Sequence, residues 1–286
     1  MVKVSVVKNL LFLPCFLLLL ISGCNPDSEP VPSSGERTFD WSGFTWIVKD
    51  SDGKFVGPGA NRFSDSTTNV WVDADNNLHL KITKSNGKYY CSEVYTCETV
   101  SYGLYVFKLK SRVELLDRNI VLGLFTWNDS NCYSNTNSEI DIEFARWGNA
   151  ANPNALLFSV QPTNGGGYAE RTRSFPISLK QNRSVYSFSW MPDKVNWSAY
   201  QGLYDPPPYS DLIAEWEYDT ADIANIPRGG SWCNSLPIKI PDPETNTRIH
   251  LNLWLFDKNY NGYGDAPSDG GEAEVIIQQV SYIPSK

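Results

Sequence analysis

Residues 138–144 read Ser-Glu-Ile-Asp-Ile-Glu-Phe. Glu139, Asp141 and Glu143 stand at alternate positions, with Ile140 and Ile142 between them. Side chains alternate along a β-strand, so the acids would share one face and the isoleucines the other. The isoleucines suit a core. The acids could simply face water, but Asp and Glu form strands poorly, and like charges on one face raise one another's pKa. A chemical role accounts for both costs. Glu139 and Glu143 are four residues apart, about 13 Å between Cα atoms at a rise of roughly 3.3 Å. Two glutamates reaching toward each other by about 3.5–4 Å each bring their carboxyls within roughly 5–6 Å. That matches the about 5–5.5 Å of a retaining glycosidase and not the wider gap of an inverting one. Such chemistry needs one ionised carboxylate as nucleophile and one protonated acid. Asp141 between them could hold a proton or a hydrogen bond and so separate the two pKa values.

Something must hold this strand. Short apolar-alternating runs recur between turn signals, and no long helix or internal repeat is evident, which predicts an all-β sandwich or barrel. Expected strands include 78–84, 103–110, 120–127, 138–144, 156–161, 185–190, 194–200, 211–218, 248–256 and 274–282. Asp73 to Asn77, Asn86-Gly87 and Met191-Pro192-Asp193 read as turns. Long polar loops fall at 128–137, 145–154, 162–170, 201–210, 219–247 and 257–272, and loops of that length on a β scaffold are often functional.

The chain has ten Trp and fifteen Tyr. Trp190 and Trp197 lie within strand patterns and suit a core. Trp127, Trp147, Trp232 and Trp254 fall at strand ends or in loops, where large apolar rings are less expected. Six cysteines are present. Cys91, Cys97, Cys132 and Cys233 are disulfide candidates in an exported chain. Of three possible pairings, Cys91–Cys97 across a hairpin tip and Cys132–Cys233 are favoured. With no CxxC and only His79 and His250, a zinc site is not supported, and both histidines read as structural.

At the N-terminus, Lys3 and Lys8 precede an apolar run of 12 residues from Leu10 to Ile21. This describes a secretory signal, and is shorter than the roughly 20 residues of a spanning helix. Ile21-Ser22-Gly23-Cys24 resembles a bacterial-type lipobox, which implies a signal at 1–23, cleavage before Cys24 and lipid on it. An ordinary secretory signal is the alternative. Residues 24–37, rich in Pro and Ser, read as a flexible tether. Residues 38–286, about 250 in all, fit one large β domain. Loss of residues 1–23 removes two lysines and no acids, taking the net charge from −8 to about −10. That argues against nucleic acid and against electrostatic docking on an anionic membrane. Membrane association would come only through the lipid, facing the periplasm or cell exterior. Nothing in the sequence suggests more than a monomer.

Glu139-Ile140-Asp141-Ile142-Glu143 resembles the E-x-D-x-E signature of family-16 glycoside hydrolases, which include lichenases, laminarinases, agarases and carrageenases. Tyr102-Gly103-Leu104-Tyr105 with Lys108-Leu109-Lys110 resembles the family's YGxYExRxK strand, with Val106 where that pattern has an acid. Gly123-Leu124-Phe125-Thr126-Trp127, the hairpin from Tyr186 through Trp190-Met191-Pro192-Asp193 to Trp197, and Asn252-Leu253-Trp254 resemble further family segments in the same order. The resemblance implies a β-jelly-roll of two curved antiparallel sheets with a concave groove for a long polysaccharide. It implies Glu139 as nucleophile, Glu143 as general acid and then base, and Asp141 assisting. It also implies sugar stacking on Trp127, Trp147 and Trp254, and hydrogen bonds from Gln161 to sugar hydroxyls; plain packing is the other reading for the tryptophans. No cofactor is implied for the chemistry. A structural Ca²⁺ on the convex sheet is a family feature whose ligands the sequence does not identify. The substrate class is a β-glucan or galactan. The competing readings are a non-catalytic carbohydrate-binding jelly roll, which has no need of three aligned carboxylates, and a transglycosylase, which shares the nucleophile and acid.

Overall fold

Alternation builds the strands of one sheet. In β7 (Gly103–Leu109), Tyr105, Phe107 and Leu109 turn inward while Leu104, Val106 and Lys108 face out. In β12 (Ser184–Trp190) and β13 (Lys194–Gln201) the same period buries Tyr186, Phe188 and Trp190, then Val195, Trp197 and Ala199. In the other sheet alternation is masked. Every residue of β10 (Leu156–Val160) and β15 (Arg248–Leu255) is buried; in β15 one face meets the core and the other lines a groove.

The computed structural model describes residues 35–128, 138–161, 163, 171–203, 207–219, 240–243 and 246–286. The remaining strands are β1 (Thr38–Trp41), β2 (Phe44–Val48), β3 (Val70–Val72), β4 (Leu78–Ser85), β5 (Lys88–Tyr90), β6 (Ser92–Thr96), β8 (Ile120–Trp127), β9 (Ile140–Phe144), β11 (Thr172–Phe175), β14 (Leu212–Asp219) and β16 (Ala273–Pro284). The first sheet runs β1-β2-β6-β15-β8-β9-β10-β11 and the second β14-β13-β12-β7-β16-β4-β3, with β5 paired to β4. All strand pairs are antiparallel. Helix among the described residues is limited to the 3-10 turns Val113–Leu115 and Tyr209–Asp211 and to Arg171. No helix among them is long and apolar enough to cross a membrane.

The two sheets meet through aromatic rings. Phe144 of β9 packs edge-on to Tyr186 of β12 at 4.8 Å, and Phe158 of β10 stacks on Trp197 of β13 at 6.0 Å. Trp46, Trp190 and Trp197 are almost wholly buried. Truncating such a residue to alanine typically costs about 3–5 kcal/mol.

The turns read from sequence are present: Asn86 and Gly87 link β4 to β5 at positive φ, and Met191 N donates to Lys194 O across the β12–β13 turn. The N-terminal hairpin was not expected. Ser42 and Gly43 link β1 to β2 with φ of 55° and 85°, the left-handed pair that tight hairpins require.

The cysteines differ from the expected pairing. Cys91 is a free, buried thiol, and Cys97 is disulfide-bonded to a partner outside the described residues. The physical reason is β6. It runs extended between the two cysteines and holds them about 20 Å apart at a strand's rise, far beyond the reach of a disulfide. Cys91 Sγ instead lies 3.4 Å from Asn61 Oδ1. Cys132, Cys233, Cys24, Trp232 and the signal at 1–23 lie outside the described residues, as does most of the tether and of the 219–247 loop.

Candidate active site

β9 occupies an interior position of the first sheet, between β8 and β10. Its register sets Asp141 beside Phe125 and Ser159, and Glu143 beside Gly123 and Leu157. Glu139 precedes the strand by one residue, but Gln161 N donates to Glu139 O at 3.1 Å and extends the ladder to it. The three acids therefore alternate with Ile140, Ile142 and Phe144, which are buried in the core.

Side chains beneath the strand fix its position. Thr126 Oγ1, fully buried, donates to Ser138 O at 2.7 Å and accepts from Ile140 N at 3.3 Å. Ser138 itself holds a φ of 51°, which turns the chain into β9. Trp197 reaches across from the second sheet, and its Nε1 donates to Asp141 O at 3.1 Å.

The acids line a groove of about 830 Å³ together with Trp127, Asn128, Phe125 and Gly123 of β8 and its end. Arg248, His250, Asn252 and Trp254 of β15, Glu93 and Tyr95 of β6, and Lys49, Gly57, Pro58 and Asn246 complete the lining. Gly123 keeps the floor open: a Cβ there would lie 2.5 Å from Asn252 Oδ1. The residues opposite one another run Glu93, Asn252, Gly123, Glu143 across four strands, so Asn252 and Glu143 flank the gap that Gly123 leaves.

Burial is the main force on the protons here. It pushes Glu143 up to about 8, with the charge of Asp141 adding to the shift. It pushes Asp141 up to about 7, against the opposing hydrogen bonds of Gln161 and Glu139. Glu139 is raised well above the usual range by burial, then by the charges of Asp141 and Glu143 and by its hydrogen bond to Asp141. Burial thus favours the protonated form of all three carboxyls, and Glu139 and Asp141 are hydrogen-bonded to each other.

A second charged cluster lies on the same floor. Lys49 Nζ is 2.8 Å from Glu93 Oε2, and His250 Nδ1 is 3.2 Å from Glu93 Oε1. Burial pushes the Glu93 carboxyl up, but His250 and Lys49 together outweigh it and hold it below its ordinary value. His250 stacks on Tyr95 at 5.1 Å.

Of the residues singled out from sequence, Glu139, Asp141, Glu143, Trp127 and Trp254 come together in the groove. Gln161 is placed behind Asp141 and bonds to it. Trp147 packs against Trp254 at 6.3 Å and Phe256 at 5.2 Å and is not among the groove-lining residues. Lys49, Glu93, His250 and Asn252 were missed as site residues. In β15 the signal was available, since His250, Asn252 and Trp254 alternate with Ile249, Leu251 and Leu253 and so share the face opposite the core.

Among the described residues no three His, Cys, Asp or Glu side chains converge as metal ligands. On the second sheet, Asp73 and Glu274 both bond to His79.

A family model for glycosyl hydrolases family 16 matches residues 60–202. A β-glucanase of Paenibacillus polymyxa is 28% identical over 130 residues, 45% of this chain and 51% of that protein. The chain thus spans about half the length of this curated relative. The solved structure of a Bacillus licheniformis β-glucanase superposes with a TM-score of 0.56 at 19% identity, covering 89% of this chain and 100% of that one. A pseudo-β-1,3-glucanase of Mycobacterium tuberculosis superposes with a TM-score of 0.56 at 20% identity, covering 84% and 91%. These structural likenesses are likenesses of fold.

Proposed function

The chain belongs to family 16 of the glycosyl hydrolases, and from that premise we propose that it is a retaining endo-glycosidase that cuts internal β-linkages of a glucan or galactan. The observation that carries this reading is the alternation of Glu139, Asp141 and Glu143 along one face of β9 at the floor of a groove. Glu139 attacks the anomeric carbon and forms a glycosyl-enzyme. For that step the proton of the Glu139–Asp141 bond must rest on Asp141, leaving Glu139 ionised. Gln161 Nε2 donates to Asp141 Oδ2 at 2.9 Å, which fixes the orientation of the carboxyl. Glu143, held protonated near neutral pH, protonates the departing sugar oxygen and then, as a carboxylate, draws the proton from the attacking water. Trp127 and Trp254 offer ring faces to the apolar C–H faces of the sugars. We further propose that the protein is exported and tethered through lipid on Cys24, which would leave the groove reaching outward for polymer.

The test is sugar release by the purified protein from mixed-linkage β-glucan, laminarin, agarose, carrageenan and xyloglucan, with Glu139→Gln as control. The expected result is oligosaccharides from one polymer, lost in the variant, and a first product of β configuration by proton NMR. An α product would overturn the retaining mechanism. Binding of a polymer without cleavage would favour the carbohydrate-binding reading. Products longer than the starting oligosaccharide would favour glycosyl transfer over hydrolysis.

A further inference from the structure

The loop between β2 and β3 does two things at once. Val56 and Asn61 exchange backbone hydrogen bonds of 2.8 Å in both directions and close a small hairpin. The tip of that hairpin carries Gly57 and Pro58, which line the groove. Lys49 Nζ ties the tip down by donating to Gly57 O at 2.8 Å, and a Cβ on Gly59 would lie 2.4 Å from the Trp254 ring. At the base, about 7 Å of extended chain away, the side chains of Phe55 and Arg62 emerge on the outer surface.

Phe55 is 47% exposed, and beside it Tyr263, from the loop after β15, is 50% exposed. Their ring centroids are 6.2 Å apart at 32°. The guanidinium of Arg62 lies 3.8 Å from the Phe55 centroid and is itself held by a 3.0 Å bond from Nε to Gly53 O. Tyr263 is equally fixed. Asp257 accepts from Asn261 N and Gly262 N at 3.0 and 2.8 Å, and Asp265 accepts from Lys258 N at 2.9 Å. The two loops are joined where Gly264 N donates to Ala60 O and Asn61 Nδ2 donates to Leu255 O. Two large rings, each about half in water, are thus carried by joined loops, Phe55 two residues along the chain from the Gly57–Pro58 tip that lines the groove.

Exposed aromatic rings are unfavourable in water unless something covers them. We infer that Phe55 and Tyr263 form a further carbohydrate-binding platform, which takes pyranose rings of the same polysaccharide where the chain passes out of the groove over the Gly57–Pro58 tip. The inference rests on the endo-glycosidase reading and names where a long substrate is gripped outside the catalytic residues. The chemistry fits the occupant. A β-linked pyranose presents axial C–H bonds to an aromatic face and hydroxyls at its rim; the Arg62 guanidinium covers one face of Phe55, and its N–H groups, directed outward in the guanidinium plane, can donate to those hydroxyls. The Gly57–Pro58 tip, which lines the groove two residues from Phe55, favours the substrate chain itself over an unrelated partner.

The test compares the wild type, Phe55→Ala/Tyr263→Ala and Phe55→Trp on mixed-linkage β-glucan, on laminarin and on a short 4-nitrophenyl β-glucooligosaccharide that fits within the groove. The double variant is expected to raise KM for the polymer about three- to tenfold with kcat unchanged, which corresponds to roughly 0.7–1.4 kcal/mol. The same variant should change kcat/KM on the short substrate less than twofold, and Phe55→Trp should retain the wild-type KM. Affinity electrophoresis of Glu139→Gln with and without the double substitution, in gels containing either glucan, reads binding apart from cleavage. Equal retardation of the two proteins overturns the platform and leaves the proposed function standing. Equal losses on polymer and short substrate also overturn it, because they mark a disturbed groove. If neither protein is retarded and the wild type cuts neither glucan, the glucan reading fails and the inference falls with it.

Discussion

Gln161 stands between two bonds: its Nε2 donates to Asp141 Oδ2 at 2.9 Å, and its Oε1 accepts from Thr163 N at 2.8 Å. The amide is thus oriented with its donor on the carboxylate. Sugar binding was the role expected of it; from its bond to Asp141 we propose that it positions that carboxyl. Gln161→Leu should lower kcat about ten- to hundredfold with little change in KM. A rise in KM at constant kcat would instead assign Gln161 to the sugar.

The second prediction concerns pH. Glu143 must be protonated to act as the acid, and its carboxyl is pushed up to about 8. The profile of kcat/KM should therefore fall on the alkaline side near pH 8. Because the charge of Asp141 contributes to that shift, Asp141→Asn should move the limb of the residual activity to lower pH. An unmoved limb would mean that Asp141 and Glu143 do not communicate.

Stability should carry the same signature. Glu143 has a folded pKa raised above its unfolded value of about 4.3. The folded state therefore binds the proton more tightly, and its stability falls as pH rises from about 4 through about 8. Glu143→Gln removes that dependence. Its Tm should exceed the wild type by more at pH 8.5 than at pH 5, measured by calorimetry. A difference that is the same at both pH values would show that Glu143 is not held neutral.

Gly123 provides the fourth prediction. A methyl at that position must push aside the Asn252 carboxamide, 2.5 Å away. Gly123→Ala should cost about 1–3 kcal/mol, or a few degrees in Tm, and should raise KM by narrowing the gap between Asn252 and Glu143. Retention of full stability and wild-type KM would mean that Asn252 swings aside freely.

The cysteines can be read chemically. Burial pushes the Cys91 thiol up to about 12, so it should resist alkylation in the native protein and react only on unfolding. Unreduced peptide mapping should recover Cys97 in a cross-linked peptide and Cys91 as a free thiol. A Cys91–Cys97 link would contradict the structure.

Much of the fold was legible because its outer sheet obeys a strict period of two. β7, β12 and β13 show their core face directly in Tyr105-Val106-Phe107, Phe188-Ser189-Trp190 and Val195-Asn196-Trp197. The acid set was legible for the opposite reason: carboxylates interrupt a strand without a structural motive. Less legible were the short strands β1, β3 and β11, which depend on neighbours for their form. The cysteine pairing failed because a run taken for a hairpin tip is the extended strand β6. The contacts of Trp147 were not legible because its neighbours Trp254 and Phe256 are far away in the chain. Glu93 and His250 were hidden because their meaning lies in each other, 157 residues apart.

The indole of Trp197 links the two sheets by bonding to the backbone of Asp141. Its ring in turn stacks on Trp216 of β14 at 4.8 Å. The wall that carries no chemistry is therefore a template against which the reactive strand is set, and its edge strand is coupled to that setting. Changes at Trp216, which packs against the core and is not among the groove-lining residues, would then reach the catalytic strand through Trp197. An edge strand remote from the acids would be under constraint from the other side of the sandwich.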